Sequence, residues 1–141
     1  FTSIRNRNVY GSWYEMSLST KNRRNIDSEI SIKYGEDRGR FYLNKFSAYG
    51  IGFEYNGRLY LGESGSLHSN VIWQKNNERS DIRILPPEAL NGFTIGENIS
   101  VSTRVNYFFN KDMSFSLSIG YINNDRYNNL TTVLGEFRAY L

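Results

Sequence analysis

Ser114-Phe115-Ser116-Leu117-Ser118-Ile119-Gly120-Tyr121 alternates small or polar residues with large apolar ones at every step. Successive side chains of a β-strand point to opposite faces, so this stretch has one apolar and one polar face, a period that no helix uses. The segments on either side repeat the pattern. Val101, Thr103, Val105 and Tyr107 oppose Ser100, Ser102, Arg104 and Asn106, while Val133, Gly135, Phe137, Ala139 and Leu141 oppose Thr132, Leu134, Glu136, Arg138 and Tyr140. A one-residue slip would exchange the faces, so register is testable. Pairing Tyr107 with Phe115 and Val105 with Leu117 closes a short loop at Asn110-Lys111-Asp112. Pairing Tyr121 with Val133 and Leu117 with Phe137 leaves a longer loop around Asn123 to Asn128. That register places Arg104, Ser118 and Glu136 in one row on the polar face, with Arg138, Ser116 and Asn106 in the next.

The same parity extends upstream. Asn56-Gly57 is a hairpin signal, and a three-residue loop at Tyr55-Asn56-Gly57, with Gly57 at positive φ, pairs Phe53 with Leu59 and Ile51 with Leu61. This predicts one long hairpin, residues 40–55 with 58–75. Lys45 and Glu63 break the apolar face and mark a bulge or an excursion past an apolar zone. Earlier strands are expected over 9–19, with Tyr10, Tyr14, Met16 and Leu18 on one face, and over 26–35, with Ile26, Ile30, Ile32 and Tyr34. A weaker one over 79–86 carries Ile82 and Ile84, which brings the total to about eight strands. Short turns are expected at Glu36-Asp37-Arg38-Gly39, Asn76 to Glu78 and Asn110 to Asp112, and longer loops at Thr20 to Asn25, Pro86 to Asn91 and Ile122 to Asn128. Both termini then fall at the short-loop rim of an up-and-down arrangement.

The 141 residues suffice for one domain with a real core and are too few for two. Hydrophobic residues make up 39% and charged ones 22%, which argues against disorder. The formal net charge of +3 is mild, and the 12 Arg are scattered rather than set on one face, so nucleic acid is not an expected partner. Absence of Cys excludes disulfides, thiolate metal sites and thiol catalysis together. His68 is the only histidine, so a multi-histidine metal site is excluded as well. No apolar run reaches the length of a membrane helix, whereas a membrane barrel needs only alternation. The chain opens at Phe1 with no signal-peptide pattern, as a mature form or a fragment would.

Alternation alone does not say which face meets water. The polar face of strands 97–141 holds Ser, Gly, Arg, Glu and Asn but no Lys, composition suited to a narrow hydrogen-bonded interior. Aromatics gather at strand ends: Tyr107, Phe108 and Phe115 at one turn, Tyr121 and Tyr127 towards the other rim. A strand such as 113–122 spans about 33 Å, or about 24 Å when tilted by 45°. In these features strands 97–141 resemble the closing strands of bacterial outer-membrane β-barrel proteins. The resemblance implies a single antiparallel up-and-down transmembrane barrel over 1–141, or the C-terminal part of a larger one. It also implies an outer-membrane location with lipid or lipopolysaccharide, and other envelope proteins, as partners. Such proteins often end on an aromatic residue, where this chain has Leu141. A local rival is Gly11-Ser12-Trp13-Tyr14-Glu15-Met16, which is similar to the Gly-x-Trp signature of lipocalins, soluble barrels that carry hydrophobic ligands. That resemblance implies that Trp13 covers a closed barrel end near a basic residue of the last strand, Arg138.

Three residue sets carry candidate chemistry. Ser66 and His68, two apart on a strand, share a face; some outer-membrane lipid hydrolases pair a Ser and a His this way, and Glu54 or Glu63 would orient the imidazole. Arg104, Glu136 and Arg138 form a charge network within a small lumen, and would tune selectivity only if that lumen were open. Lys21, Arg23 and Arg24 form a loop cluster able to meet lipopolysaccharide phosphates. The expected role is non-enzymatic, whether structural, adhesive or part of an export or pore assembly, without cofactor or metal. A soluble lipocalin-like carrier is the alternative, and the lipid hydrolase a weaker third.

Overall fold

The alternation becomes one continuous antiparallel meander. The structure, a computed structural model, describes residues 7–22, 25–41, 44–79, 86 and 88–139. Seven strands follow in chain order: β1 (Arg7–Asn22), β2 (Ile26–Phe41), β3 (Asn44–Leu61), β4 (Gly65–Glu78), β5 (Gly96–Phe108), β6 (Met113–Asn123) and β7 (Leu130–Ala139). Each pairs only with its sequence neighbours in the order β1-β2-β3-β4-β5-β6-β7, and no hydrogen-bonded ladder joins β7 to β1. The sheet is thus up-and-down and all-β, but not closed by hydrogen bonds.

We call rim A the end where β1 begins. It carries the connections through 42–43, 79–95 and 124–129, and rim B carries those through 23–25, 62–64 and 109–112. The expected division into a short-turn rim and a long-loop rim is not kept: rim A carries both the two-residue connection at 42–43 and the long segment 79–95, while the connections at rim B, 20–25 included, are all short. With seven described strands, β1 begins at rim A and β7 ends at rim B, so the two do not share a rim. The expected strand over 79–86, with Ile82 and Ile84, falls on residues outside those described apart from Arg79 and Pro86. Leu141 also lies outside them.

The C-terminal hairpins test register directly. Tyr107 pairs with Phe115 and Val105 with Leu117, as predicted. Across the next ladder, Tyr121 pairs with Thr131, Leu117 with Gly135 and Phe115 with Phe137. This is a two-residue shift from the expected register. A shift of two preserves which face each side chain occupies, so the alternation could not detect it. The shift changes the rows: Arg104 and Ser118 stand level with Leu134, while Glu136 stands level with Ser116 and Asn106.

Three predicted turns are strand instead. Tyr55, Asn56 and Gly57 run through the middle of β3, where Asn56 pairs with Glu29 and Asn70, and Gly57 with Ser28 and Ser69. The chain reverses at Gly62-Glu63-Ser64, with Gly62 at φ 67° in the left-handed region that glycine reaches without a Cβ penalty. There is no projecting hairpin tip at Asn56-Gly57. Glu36 to Gly39 lie within β2, and Asn76 to Glu78 within β4. Extended pairing on both sides outweighs the local turn preference, because Asn56 and Asp37 find hydrogen-bond partners on the concave face.

Burial is inverted relative to a water-soluble sheet. Met16 is 79% and Tyr14 71% exposed, and Ile30, Ile32, Phe53, Ile119, Val133 and Phe137 are exposed on the same face. Asn76, at 0%, and Gln74, at 2%, are buried on the other. The small apolar core also lies on that inner side, where Phe46, Ala48, Ala89 and Leu90 pack with Val9, Trp13 and Ile95.

The register makes a sharp prediction. In the oxidised protein, Leu117→Cys with Gly135→Cys should form a disulfide, because directly opposed strand residues bring Cβ atoms within bonding range. Leu117→Cys with Phe137→Cys should not, and non-reducing gel electrophoresis of the two variants distinguishes them.

Candidate functional site

On the concave face the strands bring polar residues into three tiers. At rim A, Trp13 lies across two glycines. An added Cβ would come within 2.5 Å of its ring at Gly35 and 3.1 Å at Gly50, so the indole fits only because both side chains are absent. Trp13 Nε1 donates to Asp37 Oδ1 at 3.0 Å, and the other oxygen, Asp37 Oδ2, accepts the backbone N–H of Leu90 at 2.5 Å. The segment after β4 thus turns back into the concavity as a single 3-10 turn (Ala89–Gly92).

Leu90 and Asn91 adopt left-handed φ of 55° and 57°, unfavourable for residues with a Cβ. Hydrogen bonds on both sides of Leu90 and its complete burial hold the turn in place. Gln74 Nε2 donates to Leu90 O at 3.3 Å and to Asn76 Oδ1 at 2.8 Å, and Asn76 Nδ2 donates to Thr94 O at 2.8 Å. Asn98 closes the loop: its Oδ1 accepts from Thr94 N at 3.0 Å and its Nδ2 donates to Thr94 O at 2.8 Å. Asn76 and Asn98 are each satisfied at both amide atoms, as burial requires, and Gln74 spends its amide N–H groups on Asn76 and the Leu90 carbonyl. Residues 88–95 form a plug anchored by Asp37, Gln74, Asn76 and Asn98.

The middle tier is charged. Lys33 Nζ donates to Glu54 Oε2 at 2.6 Å and lies 3.7 Å from Glu15 Oε1. The other oxygen, Glu54 Oε1, accepts from Asn56 Nδ2 at 3.1 Å and Asn70 Nδ2 at 2.9 Å. Between this tier and the plug is a cavity of about 250 Å³ lined by Trp13, Glu15, Lys33, Glu54, Gln74 and Phe93 among others.

The tier at rim B holds most of the residues singled out from sequence. Lys21, Asp27, Arg58, His68 and Arg104 follow one another across five strands. Lys21 is the last inward residue of β1 opposite Asp27, so it belongs to the concave face and not to an outer loop cluster; Arg23 and Arg24 lie outside the described residues. His68 stands between Arg58 and Arg104 in this row and lines a cavity of about 180 Å³ with Asp27, Glu29 and Asn56. Ser66 shares the face of His68 but does not line that cavity. Glu54 pairs with Lys33, and Glu63 sits in the β3–β4 turn.

Arg104, Glu136 and Arg138 do meet, around a shallow hollow of about 130 Å³. Arg138 Nε donates to Glu136 Oε1 at 2.7 Å and Arg104 Nε to Asn106 Oδ1 at 3.1 Å. Arg104 and Glu136 line one hollow without sharing the row that the expected register gave them, since Arg104 stands level with Leu134 and Glu136 with Asn106. Trp13 bonds to Asp37 while Arg138 bonds to Glu136 towards rim B, and the two do not form the Trp–basic pair implied by the lipocalin resemblance. The inner row Ser17, Ser31, Glu54 and the row Glu29, Asn56, Asn70 are polar where a carrier of apolar ligands presents hydrocarbon.

Asp37, Lys33, Gln74, Asn76 and Asn98 are the functional-site residues that sequence patterning missed, and Glu54, a candidate partner of His68 by sequence, instead pairs with Lys33. Lys33 between Ile32 and Tyr34, and Gln74 after Trp73, are inward positions by parity, and that parity was the available signal. Among the described residues, no group of three His, Cys, Asp or Glu side chains is arranged to hold a metal, and no helix is long and apolar enough to cross a membrane. Comparison with known protein families, with functionally characterised proteins and with solved structures finds no match.

Two outcomes are expected from denaturant titration of folded protein. Asp37→Ala strips the hydrogen bonds to Trp13 and Leu90 and should cost about 2–4 kcal/mol, since two donors on the concave side lose their acceptor. Glu54→Leu should cost about 2 kcal/mol by leaving Lys33 short of its main partner, and adding Lys33→Leu should recover part of that loss.

Proposed function

We propose that this chain is an integral β-barrel protein of the bacterial outer membrane, with a non-enzymatic structural, adhesive or export-assembly role. The observation that carries the reading is the inverted sheet. On β3 the outward positions Tyr49, Ile51, Phe53, Tyr55, Gly57, Leu59 and Leu61 contain no acidic or basic side chain charged at neutral pH. That run covers about 41 Å of strand and about 29 Å across a bilayer at a 45° tilt, the thickness of a hydrocarbon layer. The outward charges of the described strands (Glu36, Arg38, Arg40, Lys45, Lys75 and Glu97) all lie towards rim A. Water would penalise so continuous an exposed apolar surface, whereas lipid would solvate it.

Aromatics mark both edges of this surface. Tyr10, Tyr14, Tyr34 and Trp73 stand towards rim A. Tyr107 packs edge-on against Phe109 at rim B, with ring centroids 5.1 Å apart, and Phe109 lies 6.5 Å from Phe137. Interfacial girdles have this placement. The plug on the concave side favours a structural or assembly role over that of an open pore.

Leu117→Arg puts a cation on the lipid face and should abolish membrane retention, at a cost of about 2–4 kcal/mol near the midplane. Ser102→Arg, on the concave face, should leave retention intact. Carbonate washing followed by gel mobility with and without boiling reads both, and a Leu117→Arg variant that stays in the pellet and keeps its heat-dependent shift would sink the reading.

A further inference from the structure

Beyond the apolar surface, the outer wall formed by β1, β2 and β3 turns basic at rim A. Arg40 and Lys45 are register partners on β2 and β3, and Arg38 stands two residues nearer the apolar surface, between Tyr10 of β1 and Ser47 of β3. All three cations are exposed. They line an open cavity of about 420 Å³ together with Tyr10 and Ser47. Glu36, the outward carboxylate of this wall, is already engaged: it accepts from Arg38 Nη2 at 2.6 Å and from Arg79 Nη1 at 3.4 Å. Arg79 in turn lies over the Tyr49 ring, 4.8 Å from its centroid. Among the described residues, Arg40 and Lys45 have no carboxylate within ion-pair distance. Like charges directly opposite on adjacent strands are destabilising, and the outward positions of the strands at rim B hold no comparable cation cluster.

We propose that Arg38, Arg40 and Lys45 bind the phosphate of a lipid headgroup. The inference rests on the membrane reading above and adds a ligand class to it. A guanidinium fork and an ammonium converging on one cavity suit a phosphomonoester, which accepts several charge-assisted hydrogen bonds. The position selects a lipid over a free anion. From the cavity the outer face continues through the register pairs Tyr14–Tyr34 and Met16–Ile32, so a headgroup held by the cations lays its acyl chains along exposed apolar side chains. Tyr10 stands at the junction between the two.

The test uses the full chain inserted into vesicles of equal parts phosphatidic acid and phosphatidylcholine, extracted in mild detergent, with retained lipids counted by native mass spectrometry. The wild-type protein should retain phosphatidic acid about thirtyfold over phosphatidylcholine, as expected for two favourable cation–headgroup contacts. Arg40→Gln with Lys45→Gln should abolish that preference, and Arg40→Lys should keep most of it. Millimolar inorganic phosphate added before extraction should leave the preference in place. A double variant with wild-type preference overturns the site. Complete displacement by inorganic phosphate overturns the lipid assignment in favour of a free-anion site. The heat-dependent gel shift, read on the same samples, separates the two readings. A shifted protein with no headgroup preference removes this inference alone, whereas a protein that never inserts removes the membrane reading with it.

Discussion

The constraint on which the rest of this structure depends is that polar side chains have one direction in which to find partners. The convex face from Tyr49 to Leu61 of β3, and its counterparts on the neighbouring strands, carries hydrocarbon and aromatic rings. Lys33, Glu54, Asp37, Gln74, Asn76 and Asn98 must therefore satisfy one another on the concave side. A buried polar group without a partner costs more than a typical hydrogen bond returns. The inner network is for that reason highly connected: Glu54 takes three donors, and each oxygen of Asp37 takes one. Where strand side chains cannot fill the concavity at rim A, the segment after β4 folds in and supplies Leu90 and two backbone groups.

The plug and the charged tier depend on each other through geometry. Trp13 lies flat over Gly35 and Gly50, and that placement brings its N–H to Asp37, which in turn anchors Leu90. A larger residue at Gly35 would lift the indole and leave Asp37 with one partner fewer. Gln74 spans the plug and Asn76, linking the loop to β4 directly above the Lys33–Glu54 pair. The Gly-x-Trp stretch has its structural meaning here: Gly11 stands opposite Asp37 with no room for a side chain, and Trp13 follows two residues later on the same face.

Much of this was legible in the residues themselves. Period-two alternation located the strands, assigned Tyr10, Met16, Ile32, Phe115 and Leu117 to one face, and found the β5–β6 register. The errors share a cause. Asn, Asp, Gly and Ser are read as turn formers because soluble sheets seldom turn them inward, yet in an inverted sheet they also furnish the interior. Asn56-Gly57 and Glu36 to Gly39 carry a turn signal for that reason, although both are paired strand in which Asn56, Asp37 and Gly39 face inward. The β6–β7 offset escaped because a shift of two residues leaves both faces unchanged, and only the exact length of the 124–129 loop decides between registers. The plug was beyond reach, since Leu90 in a left-handed conformation is set by contacts fifty residues away in sequence.

The odd number of strands among the described residues has a topological consequence. In a meander each strand reverses the last, so β1 and β7 both run from rim A to rim B. If these two edges were joined directly, the resulting ring would contain a single parallel seam among otherwise antiparallel ladders, with slanted rather than perpendicular hydrogen bonds. An all-antiparallel ring needs one more strand between them, running from rim B to rim A, with apolar side chains outward and polar ones beside Glu136, Arg138 and the inward residues of β1. The polarity of the two edges thus fixes the direction, and the pleat fixes the facing, that any strand bridging them would need.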